Sequence, residues 1–176
     1  NISDGIIPIM YDYAVCYLNH PKLLKTIPIP IDISKVKFYG ITKKSKIHLF
    51  HGLNRRGIKG THYIEEAFNI LQNKHSKILK MSIDGKLPFN EYLEVLKNTD
   101  IVIDQASSHS LGMNGLYSMA MGKIVLGGAE PESLSMYSTK IPAINILPNP
   151  KKIAETIEIL INNKNLFLDI SKKSRE

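Results

Sequence analysis

One stretch of this chain, from Asp100 to Gly128, restricts the fold more than any other part of the sequence. It reads DIVIDQASSHSLGMNGLYSMAMGKIVLGG, which predicts a buried strand, a polar loop, a helix and a second buried strand. The apolar runs 101–103 and 124–126 are typical of parallel strands that are covered on both faces. Gly122 ends the predicted helix, where glycine adopts a positive φ at little cost. A loop between a strand end and a helix start is where open α/β sheets bind ligands.

Strand and helix patterns alternate along the chain from Lys46 onwards. Strands are predicted at 46–51, 78–83, 101–103, 124–126 and 143–147, and helices at 62–73, 88–97, 112–121, 133–137, 150–162 and 165–173. This alternation predicts an α/β fold with a doubly wound, mostly parallel sheet and helices on both faces. We expect one domain over residues 46–176. Residues 1–45 are interpreted as the end of a preceding domain plus a linker, because Pro28 and Pro30 exclude a central strand there.

The charge of the chain is unevenly distributed. The formal net charge is +7, and the stretch from His20 to Gly60 holds ten Lys and Arg residues against one acidic residue, Asp32. Such a stretch favours anionic partners, among them phosphates, nucleic acid and membrane surfaces. Aromatic residues for stacking bases are sparse within it, so we expect no nucleic-acid partner. The single cysteine, Cys16, fits a reducing compartment and is expected to be a buried thiol.

A basic loop follows the first predicted strand and reads NRRGIKG over residues 54–60. Arg55 and Arg56 offer planar guanidinium groups to phosphate oxygens, and Lys59 offers a point charge. The loop is neither a Walker loop nor a G-x-G-x-x-G motif. An exposed basic turn without a ligand remains an equal alternative on spacing alone.

The loop after the third predicted strand, residues 104–112, carries polar residues and ends at a helix start. Backbone N–H groups around Ser110, Gly112 and Met113 would suit an anion. A hydrolase triad is not indicated, because the Ser and His residues here lack a G-x-S-x-G elbow. Glu130 follows the fourth strand, where a carboxylate can accept hydrogen bonds from sugar hydroxyls. We expect no metal site, because His48 and His51 fall on opposite faces of one strand.

Two of these segments together resemble the C-terminal, donor-binding domain of GT-B glycosyltransferases, in particular the large retaining group known as family 4 or group 1. The matching segments are NRRGIKGTHYIEEAF after the first strand, and NTDIVIDQ with LYSMAMGKIVLGG around the central helix. The resemblance covers residues 46–173. It implies a Rossmann-like half of a GT-B enzyme.

The resemblance also implies roles for single residues. In such enzymes the basic residues of the first loop hold the nucleotide diphosphate, which here are Arg55 or Arg56 and Lys59. The family uses two glutamates, one at the donor sugar or its phosphate and one at the ribose. Those positions are His109 and Tyr117 here. The resemblance therefore leaves two alternatives: either another residue holds the ribose, with Glu130 as the first candidate, or nucleotide binding is weaker.

The resemblance therefore predicts an enzyme of the hexosyltransferase type, which transfers sugar to a glycan or a lipid-linked acceptor. A missing N-terminal domain is expected to bind the acceptor, so this fragment alone is expected to be inactive. It implies a nucleotide sugar as donor, no cofactor and no essential metal. Bacterial surface polysaccharide synthesis, a cytoplasmic location at the inner face of the membrane and peripheral membrane association are further expectations. A nucleotide-sugar epimerase of the same architecture and a non-catalytic nucleotide-sugar-binding domain remain alternatives.

Overall fold

The computed structural model describes residues 3–41 and 45–176, so that Lys43 and Lys44 of the basic stretch lie outside the described residues. Its strands are β1 Ile47–Gly52, β2 Leu79–Asp84, β3 Ile101–Ile103, β4 Ile124–Gly127 and β5 Ile144–Asn145. They form one sheet in the order β2-β1-β3-β4-β5, and every pair is parallel. The predicted parallel α/β sheet is thereby confirmed.

Helices precede, connect and follow the strands. They are α1 Tyr11–Ala14, α2 Thr61–His75, α3 Phe89–Lys97, α4 Met113–Ala120, α5 Pro131–Leu134, α6 Pro150–Asn162 and α7 Lys164–Lys173. The short helix predicted at 133–137 begins two residues earlier, because Pro131 occupies its first turn, where a missing N–H costs nothing. Asn149 caps α6 by accepting a hydrogen bond from the Lys152 N–H at 3.1 Å.

Apolar cores lie on both faces of the sheet, because successive strand residues point to opposite sides. One face, with Leu49 and Ile103, packs against α2, α6 and α7. The other face, with Phe50 and Val102, packs against α3 and α4. The carboxyl edge of the sheet is left for the loops that build the candidate site.

The inward side of α4 differs from the sequence prediction. The helical spacing places Met113, Leu116, Tyr117 and Ala120 on one apolar face. Ala120 is buried, but Met113 is 50% exposed, and Leu116 and Tyr117 are only partly buried. The buried positions are Gly115, Ser118, Met119 and Ala120. A Cβ on Gly115 would lie 2.9 Å from Asp104 Oδ2, so glycine lets the helix approach the loop after β3. Small residues therefore face inward, and larger ones reach the carboxyl edge.

The segment before the domain contacts it closely over residues 31–41. Val36 is buried in the core between the sheet and α4. The buried Lys123 donates a hydrogen bond to Gly40 O at 2.7 Å, and the Arg175 guanidinium donates to Val36 O at 2.6 Å. These contacts fasten the segment to the domain, and the domain boundary at residue 45 stays a prediction.

The environment of Cys16 differs from the expected buried thiol, because this cysteine is exposed. Helix α1 ends at Ala14, and residues 15–17 continue as one 3-10 turn on the surface. Val15 and Tyr17 are exposed with it, so no apolar layer covers the thiol.

Candidate functional site

The carboxyl ends of β1 and β3 lie side by side, although a helix, β2 and a second helix separate them in the chain. Such a reversal of strand order opens a crevice in an α/β sheet. The two loops that follow are joined by a hydrogen bond from Ala106 N to Lys59 O at 2.9 Å. Gly60 has φ +66°, and a Cβ there would lie 2.5 Å from Ser107 Oγ. A glycine is therefore required where the loops meet.

Asp104 is the residue on which these two loops converge. Its fully buried carboxylate accepts hydrogen bonds from Gly112 N at 2.7 Å and Lys59 Nζ at 3.2 Å. The Asn114 side-chain amide lies 3.3 Å from the same carboxylate. An ammonium and the start of α4 thus compensate the buried negative charge. One carboxylate thereby holds the basic loop and the start of α4 together.

His51 fixes the start of α2 from beneath the basic loop. Its Nδ1 lies 2.8 Å from Ile103 O, and its Nε2 lies 3.0 Å from Thr61 Oγ1. Burial lowers the pKa of His51 below 6.5, and the charge of Lys59 acts in the same direction. A neutral ring that donates from Nδ1 and accepts at Nε2 satisfies both partners. Thr61 is of a residue type favoured at helix N-caps, but Gly60 occupies that position in α2 and the Thr61 hydroxyl pairs with His51 instead.

A cavity of about 290 Å³ lies beside this network, between the ends of β1 and β2 and helices α3 and α4. Three rings line it, from Phe89, Tyr92 and Tyr117. Phe89 and Tyr117 meet edge to face, with their centroids 6.2 Å apart. Burial raises the pKa of Tyr92 above its ordinary value, and its neutral hydroxyl donates to Asn114 Oδ1. The rings are thereby connected to the Asp104 network through Asn114.

The opposite wall of the cavity is the turn after β2, residues 84–87. The Leu53 N–H donates to Asp84 O at 2.7 Å, which couples this turn to the loop after β1. A Cβ on Gly85 would lie 1.8 Å from Leu53 O, so only glycine fits there. Lys86 has φ +59° and is the one non-glycine residue with positive φ in the described ranges. The turn is therefore tightly constrained at the cavity.

The structure places the predicted phosphate residues in different environments. Arg55 and Arg56 are exposed, and Arg56 Nη2 lies 2.6 Å and 2.5 Å from the two carboxylate oxygens of Glu65. Lys59 is nearly buried, with 12% of its side chain exposed, and pairs with Asp104. Gly112 uses its N–H on the same carboxylate. Some of the hydrogen-bond donors that were expected to bind a phosphate are therefore already paired with carboxylates of the protein.

The remaining predicted residues fall into two groups. Met113 and Tyr117 line the cavity. His109 and Ser110 contact α1 instead: Asp12 Oδ1 accepts from His109 N at 2.9 Å, and Ser110 Oγ accepts from Tyr11 N at 3.2 Å. Glu130 directly precedes α5 and is outside the cavity lining, and its N–H donates to His109 O at 3.2 Å.

Asp12 is held in its ionised form at this contact with the loop. Burial alone would raise its pKa, but hydrogen bonds from the His109 N–H and from the Ser110 and Ser108 hydroxyls outweigh that effect. The pKa of Asp12 therefore lies below 3.8. The N-terminal segment thus contacts the loop that contains His109.

Four residues of the cavity region are missed by the sequence reasoning: Asp84, Lys86, Tyr92 and Asn114. The sequence signal for the first two is Asp-Gly-Lys directly after a predicted strand, which by itself is typical of an ordinary turn. In residues 3–41 and 45–176, no three His, Cys, Asp or Glu residues are grouped as they would be around a metal ion. No helix within the same ranges has the length and hydropathy to cross a membrane.

Comparisons with known proteins bear on the fold. No family model matches the chain, and no curated protein matches it in sequence. Its structure is similar to the C-terminal domain of the group 1 glycosyl transferase LpcC from Francisella tularensis, with a TM-score of 0.59 and 18% identity over 83% of this chain and 95% of that one.

Two longer proteins are also similar over 98% of this chain. HepE from Anabaena, crystallised with UDP and glucose, matches with a TM-score of 0.72 at 12% identity, and the match spans 57% of its length. Sucrose-phosphate synthase from Thermosynechococcus elongatus matches with a TM-score of 0.67 at 12% identity, and the match spans 53% of its length. The chain thus corresponds to little more than half of either protein. It has the fold of the C-terminal domain of GT-B glycosyltransferases.

Proposed function

We propose that this domain binds the donor nucleotide sugar of a glycosyltransferase. The observation that carries the proposal is the cavity, which is lined by the rings of Phe89, Tyr92 and Tyr117 and lies at the start of α4. A base stacked on an aromatic side chain gains about 1–3 kcal/mol. A helix start next to cationic side chains suits a diphosphate. The UDP bound to HepE supports a nucleotide as the ligand.

In the proposed complex, the base lies against the rings and the diphosphate lies towards the basic loop. Lys59 has three N–H groups, and only one points at Asp104. Arg55 is exposed and has no ion-pair partner in the part of the chain that the structure describes. These two cations, with Arg56, supply the positive charge that the diphosphate requires.

The proposed reaction is displacement at the anomeric carbon of the donor sugar. The bond from that carbon to the diphosphate oxygen breaks, and its electron pair stays on the oxygen. An acceptor hydroxyl oxygen forms the new bond and passes its proton to the leaving diphosphate oxygen. Cations positioned beforehand stabilise the charge on the leaving group. We assign no metal or cofactor to this step, because the basic loop compensates that charge.

The acceptor, in this proposal, is a glycan or a lipid-linked sugar of a bacterial surface polysaccharide, bound by a second domain. We therefore expect this chain alone to bind donor without turning it over. We place the reaction in the cytoplasm, at the inner face of the membrane. The basic surface between residues 20 and 60, where Lys35 has 83% of its side chain exposed, supports a peripheral association with anionic lipids.

A calorimetric titration with UDP and GDP tests the proposal. We expect saturable binding of at least one of them. Tyr117→Ala should weaken it by about 1–3 kcal/mol, the value of one stacked base. Ile159→Ala is the matched control, because Ile159 is 63% exposed on α6 and outside the cavity lining. The proposal is wrong if neither nucleotide binds, or if the two variants bind alike.

A further inference from the structure

The outer edge of the sheet at β2 carries no further strand. In residues 3–41 and 45–176, β2 pairs only with β1, and the strand order places it at one end of the sheet. It is six residues long, contains no proline, and keeps its register with β1 without interruption. The opposite edge, β5, has only two residues. Proteins usually keep exposed edges short or interrupt them, because a long regular edge accepts another strand. The edge of β2 is therefore able to pair with a second chain.

The hydrogen bonds between β1 and β2 show which backbone groups of β2 face outwards. Ile78 O accepts from Ile47 N at 2.9 Å, and Asp84 O accepts from Leu53 N at 2.7 Å. Because alternate residues of a strand direct their backbone groups to the same neighbour, the even-numbered residues of β2 bond to β1. The N–H and C=O groups that point to the open edge belong to Leu79, Met81 and Ile83.

The side chains of β2 differ between the two faces of the sheet. Met81 and Ile83 are partly buried against the core on the α2 side. Ser82 pairs with Phe50, whose ring lies in the core on the α3 side, so the even-numbered side chains face that side. Lys80 and Asp84 are exposed there, and neither side chain has a hydrogen-bond or ion-pair partner within the described ranges. A strand that pairs with this edge must match apolar side chains on one face and two opposite charges on the other.

Strand β2 is complementary to itself in one antiparallel register, with Ser82 opposite Ser82 of a second copy. Met81 then lies opposite Ile83 of the partner copy, and both residues direct their backbone groups to the open edge, so they can exchange two hydrogen bonds. On the other face, Lys80 lies opposite Asp84 of the partner copy, and the two-fold axis forms this contact twice. A shift of the register by two residues in either direction removes both charge pairs. The charges therefore select this register.

We propose that two copies of this chain associate through β2, antiparallel about Ser82, so that their sheets join into one. The contact is confined to a strand edge and is smaller than a standard interface, so we expect a dimer that dissociates on dilution. Asp84 also lines the cavity, so the contact brings Lys80 of the partner copy to the rim of that cavity. The proposal does not depend on which ligand the cavity binds.

Sedimentation velocity of the whole chain over a concentration series measures the association. We expect a monomer–dimer equilibrium for the parent. Lys80→Asp and Asp84→Lys each place like charges directly opposite in both contacts, so each should raise the dissociation constant of the dimer about 10-fold or more. An equal mixture of the two variants restores opposite charges in both contacts. The mixture should therefore form a heterodimer with the affinity of the parent dimer.

Two further variants separate the edge contact from general effects on folding and charge. Met81→Pro removes an N–H that faces the open edge and not β1, so it should weaken the dimer and leave the thermal melt of the monomer close to that of the parent. Lys151→Asp makes the same charge change as Lys80→Asp at an exposed position of α6, and it should dimerise like the parent.

Three results would overturn the proposal. A parent chain that stays monomeric up to about 1 mM has no dimer of useful affinity. A parent that dimerises as tightly as the Lys80 and Asp84 variants uses another surface. Single variants that weaken the dimer, with a mixture that does not restore it, would show that Lys80 and Asp84 do not face each other across the interface.

Discussion

Lys59 and Asp104 come from loops 45 residues apart, and their ammonium and carboxylate lie 3.2 Å from each other at the carboxyl edge of the sheet. The Asp104 side chain is fully buried, and the Lys59 side chain is 12% exposed. A buried carboxylate that loses its partner is strongly unfavourable. Lys59 therefore has a structural role in addition to any contact with a phosphate.

The first prediction concerns this ion pair. Lys59→Met should lower the free energy of unfolding by about 3 kcal/mol, because it leaves the Asp104 carboxylate without its cation. The double variant Lys59→Met with Asp104→Asn should lose less than the sum of the single changes. Urea unfolding of the three variants measures both quantities.

Arg56→Met is the matched control for that experiment. The ion pair of Arg56 with Glu65 is exposed, with 61% of the Arg56 side chain accessible. Arg56→Met should therefore lower the free energy of unfolding by less than about 1 kcal/mol. Equal losses for the Lys59 and Arg56 variants would contradict the structural role of Lys59. Any loss of nucleotide affinity in a Lys59 variant should be measured at a temperature where the variant is folded.

The second prediction concerns the arginines of the basic loop. Arg55→Ala should weaken nucleoside diphosphate binding by about 1.5–3 kcal/mol, the value of a hydrogen bond to a charged group. Arg56→Ala should weaken it less, because Glu65 already accepts from this guanidinium. Titration of UDP or GDP into each variant provides the measurement. The phosphate assignment of this loop is wrong if both variants bind like the parent.

The third prediction concerns Tyr117, which is partly buried and lines the cavity. Because the side chain reaches the cavity, Tyr117→Glu should keep the fold and lose only about 0.5–1.5 kcal/mol with its contact to Phe89. The new carboxylate can accept two hydrogen bonds from a ribose, which offsets part of the stacking lost with the ring, so nucleotide binding should weaken less in Tyr117→Glu than in Tyr117→Ala. A thermal melt and a titration of the same variant measure the two effects. A collapse of the melting temperature would show that Tyr117 belongs to the core.

The fourth prediction concerns the start of the domain. A chain beginning at residue 31 should unfold cooperatively, because it keeps Val36 in the core and Gly40 O on the Lys123 ammonium. A chain beginning at residue 46 loses both contacts, together with the Val36 carbonyl that Arg175 binds. It should be less stable by several kcal/mol, since a buried side chain of this size alone contributes about 1.5–3 kcal/mol. Equal urea midpoints for the two chains would place the boundary at residue 45.

The strands and most helices could be predicted because their apolar patterns are periodic. The apolar runs 101–103 and 124–126 are typical of parallel strands that are buried on both faces. Helix α6 lies at the predicted residues because Pro150 marks its start. The inward side of α4 could not be predicted, because hydrophobicity favours Met113 over Gly115. The close approach of Asp104 to Gly115 decides it, and a sequence does not display that contact.

The candidate site could be predicted only at the level of its loops. The basic loop and the loop after β3 were located because both follow strands in an alternating pattern. The pairing of Lys59 with Asp104, and the hydrogen bond from the His109 N–H to Asp12, depend on contacts between distant parts of the chain. Asp84 and Lys86 resemble an ordinary turn in the sequence, because their position at the cavity depends on the rings of α3 and α4 that line it with them.

The last prediction concerns His51 and pH. Burial lowers the pKa of its imidazole below 6.5 in the folded chain, so the unfolded chain binds this proton more readily. The free energy of unfolding that the neutral His51 ring contributes is therefore complete above pH 6.5 and is lost as the pH falls below that value. The loss is no more than about 1.4 kcal/mol per pH unit. The neutral ring, hydrogen-bonded to Ile103 O and Thr61 Oγ1, is the form that the fold requires.

His51→Gln tests this account, because its amide can donate to Ile103 O and accept from the Thr61 hydroxyl but does not titrate. We expect the parent to lose more free energy of unfolding than the variant when urea unfolding is measured at pH 7 and again at pH 5. His62→Gln is the matched control: His62 is exposed on the first turn of α2, so its removal should leave the pH dependence of the parent unchanged. Equal pH dependence in the His51 variant and the parent would mean that the His51 imidazole takes up its proton in the folded chain as readily as in the unfolded one. The start of α2, and with it the basic loop, would then not depend on a neutral His51.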